Sequence, residues 1–127
     1  MHPNVATLTR FYAALARGDV SAMLAPCDET VTFQVPGRSR LAGKYDRAGF
    51  AALVGKLRAL GDGTFTPDIH DITATDAHGM VLMTNTVTRH GTKHEYRSVH
   101  VWRIQEGKPI AWYEYPRDLY QFDAIWS

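Results

Sequence analysis

The chain has 127 residues, with 14 Lys and Arg against 13 Asp and Glu, a formal net charge of +1 and 45% hydrophobic residues. That length suits one domain over residues 1–127, and a composition this apolar and lightly charged excludes disorder. No basic run is dense enough to track phosphates, which excludes nucleic acid as a partner, and no stretch approaches the ~18 apolar residues that cross a bilayer. Met1-His2-Pro3-Asn4-Val5 carries no basic segment followed by an apolar run, so the expected protein is cytoplasmic with no membrane partner. Cys27 is the only cysteine; it forms no disulfide within the chain and reads as a buried structural thiol.

In chain order, Val5, Leu8, Phe11, Tyr12 and Leu15 recur at helical spacing, with Asn4 as N-cap and Gly18 as terminator. Asp19 caps a short second helix carrying Val20, Met23 and Leu24, which Pro26 ends because it has no amide donor. Val31, Phe33 and Val35 alternate with polar residues as a strand closing at Pro36-Gly37, and the glycine-rich segment from Gly37 to Tyr45 reads as a loop or short hairpin. Asp46 is the expected cap of a third helix bearing Phe50, Leu53, Val54, Leu57 and Leu60, broken by Gly61-Asp62-Gly63. From Thr64 the apolar period becomes two, giving strands near 64–75, 80–90, 93–105 and 109–116 separated by three turns, and Asp118 with Gln121 opens a tail helix. The expected class is α+β, an α-α-β-α start followed by a curved antiparallel meander that wraps the first helix.

The third long strand carries the candidate site. Tyr96, Ser98, His100, Trp102 and Ile104 share one face, a mixture of aromatic bulk, hydroxyl and imidazole suited to a small-molecule cavity, while Arg97, Val99, Val101 and Arg103 share the other. A cavity of roughly 300 Å3 or more reaching His100 would support a ligand site, whereas an interior filled by its own side chains would leave a structural domain whose working surface is the outer sheet face. Strict alternation on the last strand turns Glu114 away from Tyr113 and Tyr115, toward the surface or a subunit contact, with Trp112 beside Val99 and Val101 on the outer face. An apolar outer face of that kind is expected to pair in a homodimer. His90 and His94 bracket a hairpin turn, where no ligand geometry is preformed, so no metal site is expected.

The run Arg10-Phe11-Tyr12-Ala13-Ala14-Leu15-Ala16-Arg17-Gly18-Asp19, the segments Val35-Pro36-Gly37-Arg38-Ser39 and Leu41-Ala42-Gly43, and Trp102-Arg103-Ile104 before Glu106-Gly107-Lys108 resemble the nuclear transport factor 2-like superfamily, above all its SnoaL-like polyketide cyclases and ketosteroid isomerase-like proteins. The resemblance implies the cone-shaped fold of that superfamily. It aligns the isomerases' first-helix tyrosine with Phe11, their aspartate base with Val35, or with Gln34 if the register slips by one, and their protonated carboxyl with His100. The cyclases' last-strand aspartate falls at Tyr115, and the Asp-Arg-Asp set of limonene epoxide hydrolase-like members falls near Met83, Asn85 and Tyr115.

The reading that follows is a cofactor-free cyclase, isomerase or dehydratase acting on a small apolar metabolite, with His100 and Tyr115 catalytic and Phe11, Phe33, Val35, Tyr96, Trp102 and Tyr113 contacting the substrate. The alternative is a non-catalytic module that holds a ligand in the same cavity, and the sequence leaves open whether the chain is an enzyme.

Overall fold

In a computed structural model describing residues 1–127, α1 (Pro3–Arg17) and α2 (Val20–Leu24) precede β1 (Thr32–Val35), β2 (Gly43–Asp46) and α3 (Phe50–Leu60). Four long strands follow, β3 (Thr66–Ala74), β4 (His78–Arg89), β5 (Thr92–Gln105) and β6 (Lys108–Pro116), and then α4 (Leu119–Trp126). All six strands form one sheet in the order β2-β1-β6-β5-β4-β3. Neighbours are antiparallel except for β1, which lies parallel to β6, and the segment left open as loop or hairpin is a hairpin, with β2 pairing back on β1.

The local chemistry departs from the predicted caps in two places. The α1 helix begins one turn-edge earlier than Asn4: His2 is the N-cap, its ring accepting from the Asn4 amide at 3.1 Å with Pro3 in the first turn. Asn4 is instead buried, its side-chain amide donating to the Thr75 carbonyl at 3.0 Å and tying the helix start to the end of β3. At α3 the N-cap is Gly49 without a side-chain bond, because Asp46 spends its carboxylate on the Gly49 amide at 2.7 Å in the preceding turn. Asp19 and Asp118 cap α2 and α4 as expected.

The concave face of the sheet holds the core. Phe11 packs edge-on to Trp102 with ring centroids 4.7 Å apart, and Phe33 stacks on Phe50 at 4.1 Å, joining α1, α3, β1 and β5 in one aromatic cluster. Such pairs add roughly 0.5–1.5 kcal/mol each beyond the apolar area they bury. Cys27 is buried here, and its thiol is pushed up to about 11 by burial, as expected of a structural cysteine.

Two irregularities shape the sheet. β3 bulges at His70, between the pairs Ile69–Met83 and Asp71–Leu82. β6 carries an extra residue at Ile110, since Ile104 pairs with Pro109 while Arg103 pairs with Ala111. A bulge inserts one residue on one strand, so every later side chain on that strand changes face. Burial records the event: Pro109, Ala111 and Trp112 are all buried, a sequence no regular strand produces.

The sheet admits α1 closely at Gly79, where an added Cβ would run into Leu8 Cδ1, itself fully buried. We expect Gly79→Ala to lower stability by about 1–3 kcal/mol through overpacking, read as a drop in the urea midpoint at constant slope. Gly55, exposed in α3 with nothing near its missing Cβ, provides the contrast: Gly55→Ala should stabilise by about 0.5–1 kcal/mol.

Candidate functional site

An internal cavity of about 70 Å3 opens between α1, α3 and the concave face of β4, β5 and β6, and 15 of its 18 lining residues are hydrophobic. It reaches His100, yet it is smaller than the ready-made site looked for in the sequence. Leu15, Leu57 and Phe65, only partly buried, line it where the helices meet the sheet and are the side chains a larger guest would displace.

Its polar floor is a four-residue relay. The Trp102 indole donates to the Tyr12 hydroxyl at 3.0 Å, Tyr12 meets His100 Nδ1 at 2.6 Å, and His100 Nε2 meets Glu114 Oε2 at 3.2 Å. An indole can only donate, so the Tyr12 oxygen accepts from Trp102 and its own proton goes to Nδ1. That assigns the neutral imidazole as the Nε2–H tautomer, which donates to the Glu114 carboxylate. Both ring nitrogens are thus engaged within the protein, whereas Glu114 lines the cavity and its second oxygen, Oε1, takes no part in the relay. The imidazole is held in plane by Tyr12, stacked at 5.7 Å, and by Trp112, edge-on at 4.6 Å. Trp112's own indole N–H lacks a partner.

This arrangement revises several residues named from sequence. Phe11, Phe33, Val35, Tyr96 and His100 line the cavity as expected. Trp102 is fully buried behind Tyr12 and acts through it rather than touching the cavity. Tyr115 is 56% exposed on the outer face, and Tyr113 lies on that face too, because the extra residue at Ile110 turns both away from the interior. The same shift brings Trp112 and Glu114 inside, where strict alternation had put them out. A carboxylate therefore does stand on the last strand, one residue before the position the cyclase resemblance indicated. Likewise a first-helix hydroxyl is present, from Tyr12 rather than Phe11. The signal for the shift was in the chain: Pro109-Ile110-Ala111-Trp112 is a run of four apolar residues that a half-buried strand does not need.

Burial raises the Tyr12 hydroxyl far above the usual phenol range, an effect only partly offset by the Trp102 bond. Burial, reinforced by the charge of Glu114, also raises Tyr96. Together with Cys27 these groups keep their protons in the folded chain at pH values where the unfolded chain releases them. Raised acids of this kind contribute their stability in full below the unfolded pKa and lose it as pH rises. We therefore expect stability to be flat up to about pH 8 and to fall between roughly pH 9 and 11 in urea titrations, Cys27 accounting for on the order of 2 kcal/mol; Cys27→Ala should make that fall shallower.

The SnoaL-like domain matches residues 8–112. No curated protein matches the chain. Among solved structures it is similar to Bal32a from a soil-derived mobile gene cassette, at 29% identity over 98% of this chain and 96% of that one, with a TM-score of 0.90. TerC, co-crystallised with polyporic acid, is similar at 21% identity over 99% and 100% of the two chains, TM-score 0.85. IdmH from Streptomyces antibioticus, a proposed polyketide cyclase, is similar at 17% identity over 95% and 99%, TM-score 0.76. The last two likenesses concern the fold. It shares its fold with a solved nuclear transport factor 2-like protein, and with the domain match covering most of its length the chain belongs to the SnoaL-like domain family.

Proposed function

We propose that the chain is a cofactor-free acid/base enzyme acting on a small carbonyl compound with an apolar body, of the cyclase or isomerase type, in which Glu114 moves the proton and His100 positions it. The observation that carries this reading is the Trp102–Tyr12–His100–Glu114 relay, which ends on a carboxylate with one oxygen left for a guest in an otherwise apolar cavity. Glu114 Oε1 takes a proton from the carbon next to the carbonyl, the C–H electron pair moves onto the carbonyl oxygen, and the resulting acid returns the proton elsewhere on the same molecule. The Trp112 indole N–H, against the imidazole and beside the Tyr12 hydroxyl but without a well-formed hydrogen bond, is suited to donate to the developing oxyanion. His100 keeps its Nε2–H on Oε2, which orients the carboxylate and leaves Oε1 for chemistry.

His100 thus moves from acid or base to positioning residue, and Tyr115 has no part in the site. TerC's co-crystallisation with polyporic acid and the proposed cyclase role of IdmH support a small organic guest in this fold. A second reading, a binding module without turnover, is favoured by one observation: both His100 nitrogens are already bonded inside the protein.

The two separate on deuterium uptake. For acetophenone in D2O, followed by proton NMR, we expect exchange of the methyl protons above the buffer rate, slowed by about 10²–10⁴-fold in Glu114→Gln, the usual range for removing a general base. In His100→Asn the pH profile of the remaining exchange should change while folding is retained. Exchange at the buffer rate in the wild type would leave the binding module.

The outer face supplies the proposed partner, a second copy of this chain. Met80, Leu82 and Tyr115 stand 50%, 43% and 56% exposed there, beside half-buried Val99 and Val101. We expect a dimer in light scattering, and a monomer for Leu82→Glu combined with Val99→Lys; a monomeric wild type at high concentration would refute it.

A further inference from the structure

Four buried polar side-chain atoms have no hydrogen-bond partner in the protein, Asn85 Oδ1, Arg89 Nε, Ser98 Oγ and Trp112 Nε1, and all four belong to residues on the inward face of β4, β5 and β6. Native proteins leave few such atoms, because each costs the desolvation of a group with nothing in return. Their gathering on one concave face is therefore informative. Trp112 belongs to the Glu114 end already described. Asn85 and Tyr96 lie at the other end of the cavity: they face each other across β4 and β5, both line the cavity, and they are 1% and 5% exposed.

Their chemistry is complementary. The Tyr96 oxygen accepts from the Trp126 indole at 3.2 Å, so its own O–H remains to be donated. Asn85 Oδ1 lacks a donor. A hydroxyl group satisfies both at once, accepting from Tyr96 and donating to Asn85. A carbonyl could accept from Tyr96 and from the Asn85 amide but would leave Asn85 Oδ1 without a donor, and a carboxylate would meet Glu114's charge, which already reaches Tyr96. Tyr96 and His100 are four residues apart on β5, about 13 Å between Cα atoms, and both face the cavity.

We propose that Asn85 and Tyr96 form a hydroxyl-binding subsite, so that the substrates of this site are hydroxylated carbonyl compounds, with the hydroxyl at the end of the molecule away from the carbon that faces Glu114. The inference builds on the proton-transfer reading for its orientation but not for its binding chemistry.

The test compares 4-hydroxyacetophenone with acetophenone, titrated into the protein while the tryptophan indole N–H signals are followed by NMR. Wild type should prefer the hydroxylated probe by about tenfold or more, as expected for one hydroxyl meeting two buried partners. Asn85→Leu should bring the two probes within about twofold of each other, and Tyr96→Phe should reduce the preference. Because Asn85 Oδ1 is unpartnered, Asn85→Leu should also keep or raise the melting temperature. Equal affinity in the wild type, no indole shift with either probe, a preference surviving Asn85→Leu, or a lowered melting temperature in that variant would each overturn the subsite. Measured side by side in the wild type, the two readouts separate the two proposals: preference without deuterium exchange overturns proton transfer alone, and exchange without preference overturns the subsite alone.

Discussion

One unpaired residue in β6 decides what meets inside this molecule. Ile110 interrupts the ladder between β5 and β6, and everything after it on the strand changes sides. Trp112 and Glu114 come in, Tyr113 and Tyr115 go out, and Glu114 lands opposite His100 in the register. Were Ile110 paired in the ladder, Tyr113 would fall opposite His100, and the interior would contain no carboxylate to bond the imidazole. A bulge costs one ladder position, and here it re-aims a charged side chain into a site that regular pairing would have left apolar.

The cost of holding that charge is met by how it is surrounded. The Glu114 side chain is about nine-tenths buried, where an unpartnered carboxylate is expensive, and its partner is an imidazole whose other nitrogen is held by Tyr12 and, through it, by Trp102. Such a network is rigid because each member has only one way to be satisfied: the indole must donate, so the phenol must donate onward, so the imidazole must donate from Nε2. The relay also fastens α1 to the sheet, since Tyr12 belongs to the helix and the other three to β5 and β6. A structural tie and an oriented carboxylate are then the same object. The apolar lining around it keeps the local dielectric low, which strengthens whatever the free oxygen does to a guest.

Much of this was legible in the chain. Helical spacing in α1 and α3, the period of two after Thr64 and the three turns gave the α+β architecture, and the resemblance to SnoaL-like proteins covered the length over which the family is found. His100 as a cavity residue followed from plain alternation on β5, a regular strand over that stretch, as did Tyr96, and Phe33 and Val35 followed from β1. Alternation failed only on β6, where Tyr115, Tyr113, Glu114 and Trp112 were each given the wrong face for the same reason. Tyr12 was passed over because two adjacent aromatic residues on one helix both fit the inward arc, and only the packed position of β5 shows which carries its hydroxyl to the imidazole.

By itself, then, the sequence determined the class of fold, the burial of its periodic apolar residues and the strand that would carry an imidazole into the interior, because these depend on local spacing along one element. The tertiary structure alone decided the chemistry: which carboxylate reaches the imidazole, which aromatic hydroxyl holds it, and which buried amide is left without a partner. Those depend on register between strands, and a single inserted residue, energetically minor and locally almost silent, is enough to exchange one set of side chains for the other.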